Sequence, residues 1–205
     1  SLATGGTAPY VYAWSSGSAQ ASATGLAAGT YTVQVTDANG CTATTTVTLT
    51  EPPLLTISAS VTSDYNGQDI SCNGASDGTA AALAAGGTAP YVYAWSSGSA
   101  QASATGLAAG TYTVQVTDAN GCTATTTVTL TEPPLLTISA SVTSDYNGQD
   151  VSCNGASDGS ALAQATGGTA PYVYTWSSGS GLATATGLAA GTYTVQVTDS
   201  SGGTA

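Results

Sequence analysis

The chain has no lysine, arginine or histidine, and its eleven carboxylates give a formal charge of −11 that no internal cation offsets. Salt bridges between side chains are therefore excluded. Nucleic-acid binding needs a basic face to displace phosphate counterions, and attraction to anionic lipid needs the same, so both partners would be repelled. Metal cations are the natural counterions of such a chain. The same absences narrow the chemistry, because general acid–base and nucleophilic mechanisms rely on these cationic or titrating side chains to move protons and hold oxyanions. What survives is a carboxylate pair of the glycosidase kind or a metal site built from carboxylates alone. No spacing picks out two acids facing one another, so no enzymatic activity is expected.

Charged residues are only 5% of the chain against 41% apolar ones, which are mostly Ala, Val, Leu and Tyr. A globular surface usually draws on a quarter of charged residues. Here Thr, Ser, Gly and Asn must cover it, as in extracellular all-β stalks. No apolar run reaches the 18 residues of a membrane helix, and residue 1 is not Met, so an internal stretch of a longer exported chain is expected.

What the chain does have is repetition. Gly5 to Asp69 recurs unchanged as Gly86 to Asp150, and the frame returns from Gly167, a period of 81 residues. The third copy drifts: Ala94 becomes Thr175, SAQASATG becomes SGLATATG, and the TDANGCTA of the first two copies becomes TDSSGGTA, with Gly203 where Cys41 and Cys122 stand. A unit of this length fits one small β-sandwich better than a solenoid coil. Alternation marks the strands, with Leu55, Ile57, Ala59 and Val61 on one face, then TAAALAAGG, PYVYAW, a short AQASATGL, TYTVQVT and TATTTVTLT. Nothing has the period of a helix. Asn-Gly in DANGC signals a hairpin, and Glu-Pro-Pro at 51–53 and 132–134 stops one strand before the next begins. The expected divisions are a partial repeat at 1–52, a complete one at 53–133 and a nearly complete one at 134–205.

The ordered motifs SCNGASDGT, GGTAPYVYAWSSG, GLAAGTYTVQVTDANGC and TEPP resemble the SprB-type repeat of large bacterial surface adhesins, a relative of PKD and immunoglobulin-like modules. The resemblance implies tandem seven-stranded Greek-key β-sandwiches in a bead string, an extracellular location, type IX secretion, and a role in surface adhesion or gliding motility. LAAGTY also resembles the tyrosine corner of such sandwiches, which implies backbone-directed hydroxyls for Tyr31, Tyr112 and Tyr193.

Three groups are candidates for chemistry. The PYVYAW run could stack on sugars, but Trp14, Trp95 and Trp176 are expected in the core, since few other large residues are present to fill it. Asp64, Asn66 and Asp69, with their copies Asp145, Asn147 and Asp150, place oxygen ligands around a Gly turn and are candidate calcium ligands. Turns demand the same residue types. Thr ladders could suggest ice binding, yet one such strand per repeat makes no flat array, and no N-glycosylation sequon is present.

The four cysteines read as a disulfide framework. Two pairings respect the period. Within one bead, Cys72 to Cys122 closes a loop of 50 residues and is worth about 3–4 kcal/mol; Cys41 then needs an upstream partner, and Cys153 one at Gly203. Across the linkers, Cys41 would join Cys72 and Cys122 would join Cys153. The within-bead pair is the expected one. The functional expectation is an extracellular stalk or self-associating filament, or else a glycan-binding adhesin module.

Overall fold

The computed structural model describes residues 2–205, all of them in strands, turns or irregular backbone. No helix long and apolar enough to cross a membrane is found among them. The chain divides into two compact units, one ending at Pro53 and one spanning Leu54–Ala205.

The first unit is one antiparallel sheet of β1 (Val11–Trp14), β2 (Gly29–Thr36) and β3 (Thr42–Leu49), in that order. Val33 is buried, and Val47 and Leu49 are exposed; among the described residues of this unit the three strands form a single sheet.

The second unit contains two sandwiches. In the first, β4 (Thr56–Val61), β5 (Gly78–Ala85) and β7 (Ser103–Leu107) form one sheet, and β6 (Val92–Trp95), β8 (Gly110–Thr117) and β9 (Thr123–Leu130) the other. All pairings are antiparallel, and the chain crosses between sheets in Greek-key fashion. This immunoglobulin-like sandwich has six strands, one fewer than the resemblance implied. Period-two alternation turns Ala80, Ala82 and Ala104 of one sheet toward Trp95, Val114, Val128 and Leu130. Small residues on one face leave room for the indole on the other, and Trp95 is 5% exposed. Truncating so large a buried side chain to Ala costs about 3–5 kcal/mol. The indole Nε1–H donates to the Gln101 carbonyl at 2.9 Å, so its polar end is satisfied.

The second sandwich repeats this plan with β10 (Thr137–Val142), β11 (Ser157–Thr166) and β13 (Thr184–Ala189) facing β12 (Val173–Trp176) and β14 (Val195–Thr198). Thr204 and Ala205 pair with β14 as the start of β9 pairs with β8, and a cleft of about 300 Å³ lined by Val142, Val151, Trp176, Leu188 and Tyr193 opens in this sandwich. The tyrosine corner is present three times: Tyr31, Tyr112 and Tyr193 donate to Ala27, Ala108 and Ala189 carbonyls at 3.1, 3.1 and 3.2 Å.

Each sandwich has two poles. In the first, Leu55, Gly87 and the Asp118–Cys122 turn share the near pole. The Asp118 carboxylate organises that turn by accepting from the amides of Thr88, Asn120 and Cys122. Asn120 keeps an ordinary φ, so the Asn-Gly pair of DANGC is not a two-residue mirror-image turn. Ile70, Gly78, Leu107 and Leu130 close the far pole. A strand of eight residues such as β9 separates the poles by about 26 Å.

Candidate functional site

The far-pole loop, residues 62–77, starts from turn chemistry. Asn66 and Gly67 are both left-handed, with φ of 56° and 86°, and Tyr65 and Gln68 exchange backbone hydrogen bonds at 2.8 and 3.2 Å. That is the mirror-image turn Asn-Gly favours, found here and not in DANGC. Asp64 Oδ1 accepts from the Gly67 amide at 2.7 Å, and the Ser63 hydroxyl donates to the Asp69 carbonyl at 2.7 Å. Tyr65 donates its hydroxyl to the Asp77 carbonyl, and Asp77 Oδ1 accepts from the Ser71 amide at 3.2 Å. The Ser71 hydroxyl, followed by the opposing effect of burial and then the Ser71 amide, leaves the Asp77 carboxyl below its ordinary value. Ile70, fully buried, plugs the sandwich from this loop. A Cβ on Gly78 would lie 2.5 Å from Ile70 Cδ1 and 2.4 Å from Leu130 Cδ2, so only glycine lets the plug seat.

The same loop grips the linker that leads to the next sandwich. Asp69 Oδ2 accepts from both the amide and the hydroxyl of Thr131 at 2.8 Å. Glu132 accepts from the Gly74 amide at 2.6 Å and from Asn73 Nδ2 at 3.1 Å, and Asn73 also donates to the Pro133 carbonyl. Pro133 is fully buried. From the other side, the Gly168 amide donates to the Pro134 carbonyl at 2.8 Å. The Glu-Pro-Pro linker is thus held from both sides.

The near pole of the second sandwich completes the joint. Asn66 Nδ2 donates to Ser200 Oγ at 3.3 Å, and the Cys72 thiol lies 3.7 Å from the Ser201 carbonyl. The drift of the third copy falls in this turn. In the earlier copies Asn39 and Asn120 donate to Thr7 and Thr88 Oγ1 at 3.0 and 2.9 Å. Ser201 replaces that Asn and is too short to reach, so Thr169 Oγ1 and Ser201 Oγ are buried without partners.

The candidate calcium ligands sit in one loop, each in a hydrogen bond or a turn. Asp64 is used by the Gly67 amide, Asn66 by Ser200 and Asp69 by Thr131. In the other copy Asp145 holds the Gly148 amide at 2.7 Å, Asn147 is left-handed, and Asp150 is exposed. No group of three His, Cys, Asp or Glu side chains able to hold a metal occurs among the described residues.

The expected Cys72–Cys122 bond is not formed; all four cysteines are free thiols. The reason is polar separation, since Cys72 lies at the far pole and Cys122 at the near one, about 26 Å apart along β9. A Cys122–Cys153 bond would have to span farther still, from the near pole of one sandwich to the far-pole loop of the next. The aromatic run is occupied inside each bead: Trp95 and Trp176 are buried, Tyr93 and Tyr174 pack on the cores, and Tyr91 and Tyr172 donate to the Gly86 and Gly167 carbonyls. Trp14 is half-buried in the single-sheet unit.

The family model of the SprB repeat matches residues 65–100 and 146–181. The two matches lie one 81-residue period apart. Each match begins in the Tyr-Asn-Gly turn of the far-pole loop and runs through the aromatic strand to the turn that follows it. SprB repeats occur in cell-surface proteins. No curated protein matches the chain in sequence. Among solved structures, the C-terminal 282-residue fragment of intimin in complex with the translocated intimin receptor intimin-binding domain is similar at 18% identity and a TM-score of 0.33. That similarity covers 55% of this chain and 43% of the intimin chain.

Proposed function

We infer that the chain is a load-bearing stretch of an extracellular stalk, in which SprB repeats act as spacers that hold an adhesive or motile surface element away from the cell. The observation that carries this reading is the clamped joint. Glu132, Pro133 and Thr131 are held by Asp69, Asn73 and Gly74 of the preceding sandwich, so the linker resists bending where a free tether would not. The antiparallel strands of each bead resist pulling through paired backbone bonds, and repetition gives reach. No catalytic step belongs to this reading. Near-identity of the beads also means that a lateral contact made by one is available to the next, which is the support for self-association into filaments. Export by type IX secretion accompanies the surface role.

Small-angle scattering of the full chain, native and with Glu132→Ala, tests the joint. The stalk reading expects a maximum dimension that shrinks and a broader distance distribution when the clamp is cut. An unchanged profile contradicts it. Light scattering at high concentration tests assembly, with growth in mass expected for a filament and a persistent monomer contradicting it. Glycan binding is the alternative, and it would have to use loops, since the aromatic strand is engaged within each bead; retention on a glycan array would favour it.

A further inference from the structure

Gly203 stands where the first two copies carry Cys41 and Cys122, and it faces Cys72 of the preceding sandwich. A Cβ built on Gly203 lies 3.2 Å from Cys72 Sγ. In a disulfide each Cβ sits about 3 Å from the far sulfur, as an S–S bond near 2 Å requires. The backbone at 203 is outside the left-handed region, so it accepts an L side chain without strain. The same turn in the first sandwich carries a cysteine beside the equivalent carboxylate, with the Cys122 amide on Asp118 Oδ1 at 2.9 Å, as the Gly203 amide sits on Asp199 Oδ1 at 2.8 Å. Two cysteine positions of the repeat thus meet, but they belong to successive beads.

We propose that the cysteines of this repeat are inter-bead staples, joining the far-pole loop cysteine of one bead to the near-pole turn cysteine of the next, and that Gly203 deletes the staple at this joint. The rule explains why none of the four cysteines finds a partner here. Cys72 meets a glycine, Cys153 would need the turn of a following bead, and the turn cysteines Cys41 and Cys122 would each need the loop of the bead before. Neither pairing considered from the sequence joins a loop to the turn of the next bead. Where both cysteines are present, the two thiols each give up a proton and an electron and the S–S bond forms. A small-molecule disulfide such as oxidised glutathione accepts both and leaves as two thiols. The staple closes the loop–linker–turn joint covalently without passing through the linker. This inference rests on the joint geometry and stands apart from the adhesive reading.

The test is Gly203→Cys in the full chain, equilibrated with oxidised and reduced glutathione and cut with an Asp-specific protease, since the chain offers trypsin no site. The fragment 199–205 should be joined to 69–76, which its Ile70 distinguishes from the Val151-bearing 150–157, and the melting temperature should rise in the oxidised form only. Adding Cys72→Ser should abolish the link. A bond from residue 203 to Cys122 or Cys153, or five thiols still free in the folded protein, overturns the proposal. If the variant does not fold, alkylation of the native chain decides: the Ile70 fragment, whose thiol is covered by the next bead's turn, should react several-fold more slowly than the Val151 fragment. Equal rates overturn it.

Discussion

Residues 62–77 and 143–158 are the same loop twice, differing only at Ile70 and Val151, yet they end in different environments. What is intrinsic is identical in both. Asp64 and Asp145 hold Gly67 and Gly148, Tyr65 and Tyr146 reach Asp77 and Asp158, and the Ser71 and Ser152 amides bond Asp77 and Asp158 at 3.2 and 3.1 Å. What differs depends on the next bead. Asp69, Cys72, Asn73 and Gly74 are engaged by the linker and the following turn, whereas Asp150, Cys153, Asn154 and Gly155, whose equivalent linker would fall after residue 205, are exposed. Turn chemistry builds the loop, and a neighbour converts it into a joint.

The largest break in this comparison should come from the plug. Ile70→Ala is expected to cost about 2–5 kcal/mol, because the side chain is fully buried. Val151→Ala, at a half-buried site beside the open cleft, should cost about 1 kcal/mol or less. Denaturant unfolding of the full chain reads both, and equal losses would contradict the assignment. Next comes the clamp. Glu132→Ala removes the acceptor for Asn73 and Gly74 and should cost about 1–3 kcal/mol. Its copy Glu51 is exposed, and Glu51→Ala should stay within about 0.5 kcal/mol.

Acid should act on both loops alike. Asp77 and Asp158 are held below their ordinary carboxyl value, first by the Ser71 and Ser152 hydroxyls. A depressed folded value contributes stability that is present above the unfolded value of about 3.9 and is lost as pH falls through the folded one. Both loops should therefore loosen together below about pH 4, as followed by amide NMR shifts; loss confined to one loop would show that the shared contacts are not the cause. A smaller effect than cutting the clamp is expected from Ser200→Ala, which restores the residue of the other copies. It removes donors to the Thr169 and Ala170 carbonyls and should cost about 0.5–1 kcal/mol in the same unfolding assay.

The strands, the buried Trp95 and Trp176 and the tyrosine corners were legible because alternation and side-chain size act within one bead. Asp64, Asn66 and Asp69 were ambiguous for a physical reason: turns and calcium loops select the same small oxygen-bearing residues around glycine. Asp64 serves the turn, while Asn66 and Asp69 also reach the joint. The hairpin that DANGC signals is present between β8 and β9, though Asp118 shapes its turn and the mirror-image geometry occurs at Asn66-Gly67. The joint itself lay beyond spacing arguments, because it forms between the loop of one copy and the turn of the next. Ile70, a lone large apolar residue in a polar loop, signalled only the plug of its own sandwich.

Hydrogen exchange on the native full chain, resolved to the Ile70- and Val151-bearing peptides, tests the joint most directly. Two nearly identical loops should exchange differently, with Gly74 and its neighbours protected by Glu132 while Gly155 exchanges freely. Matching protection in the two loops would mean that the next bead does not hold the first, and the joint would be lost as an explanation.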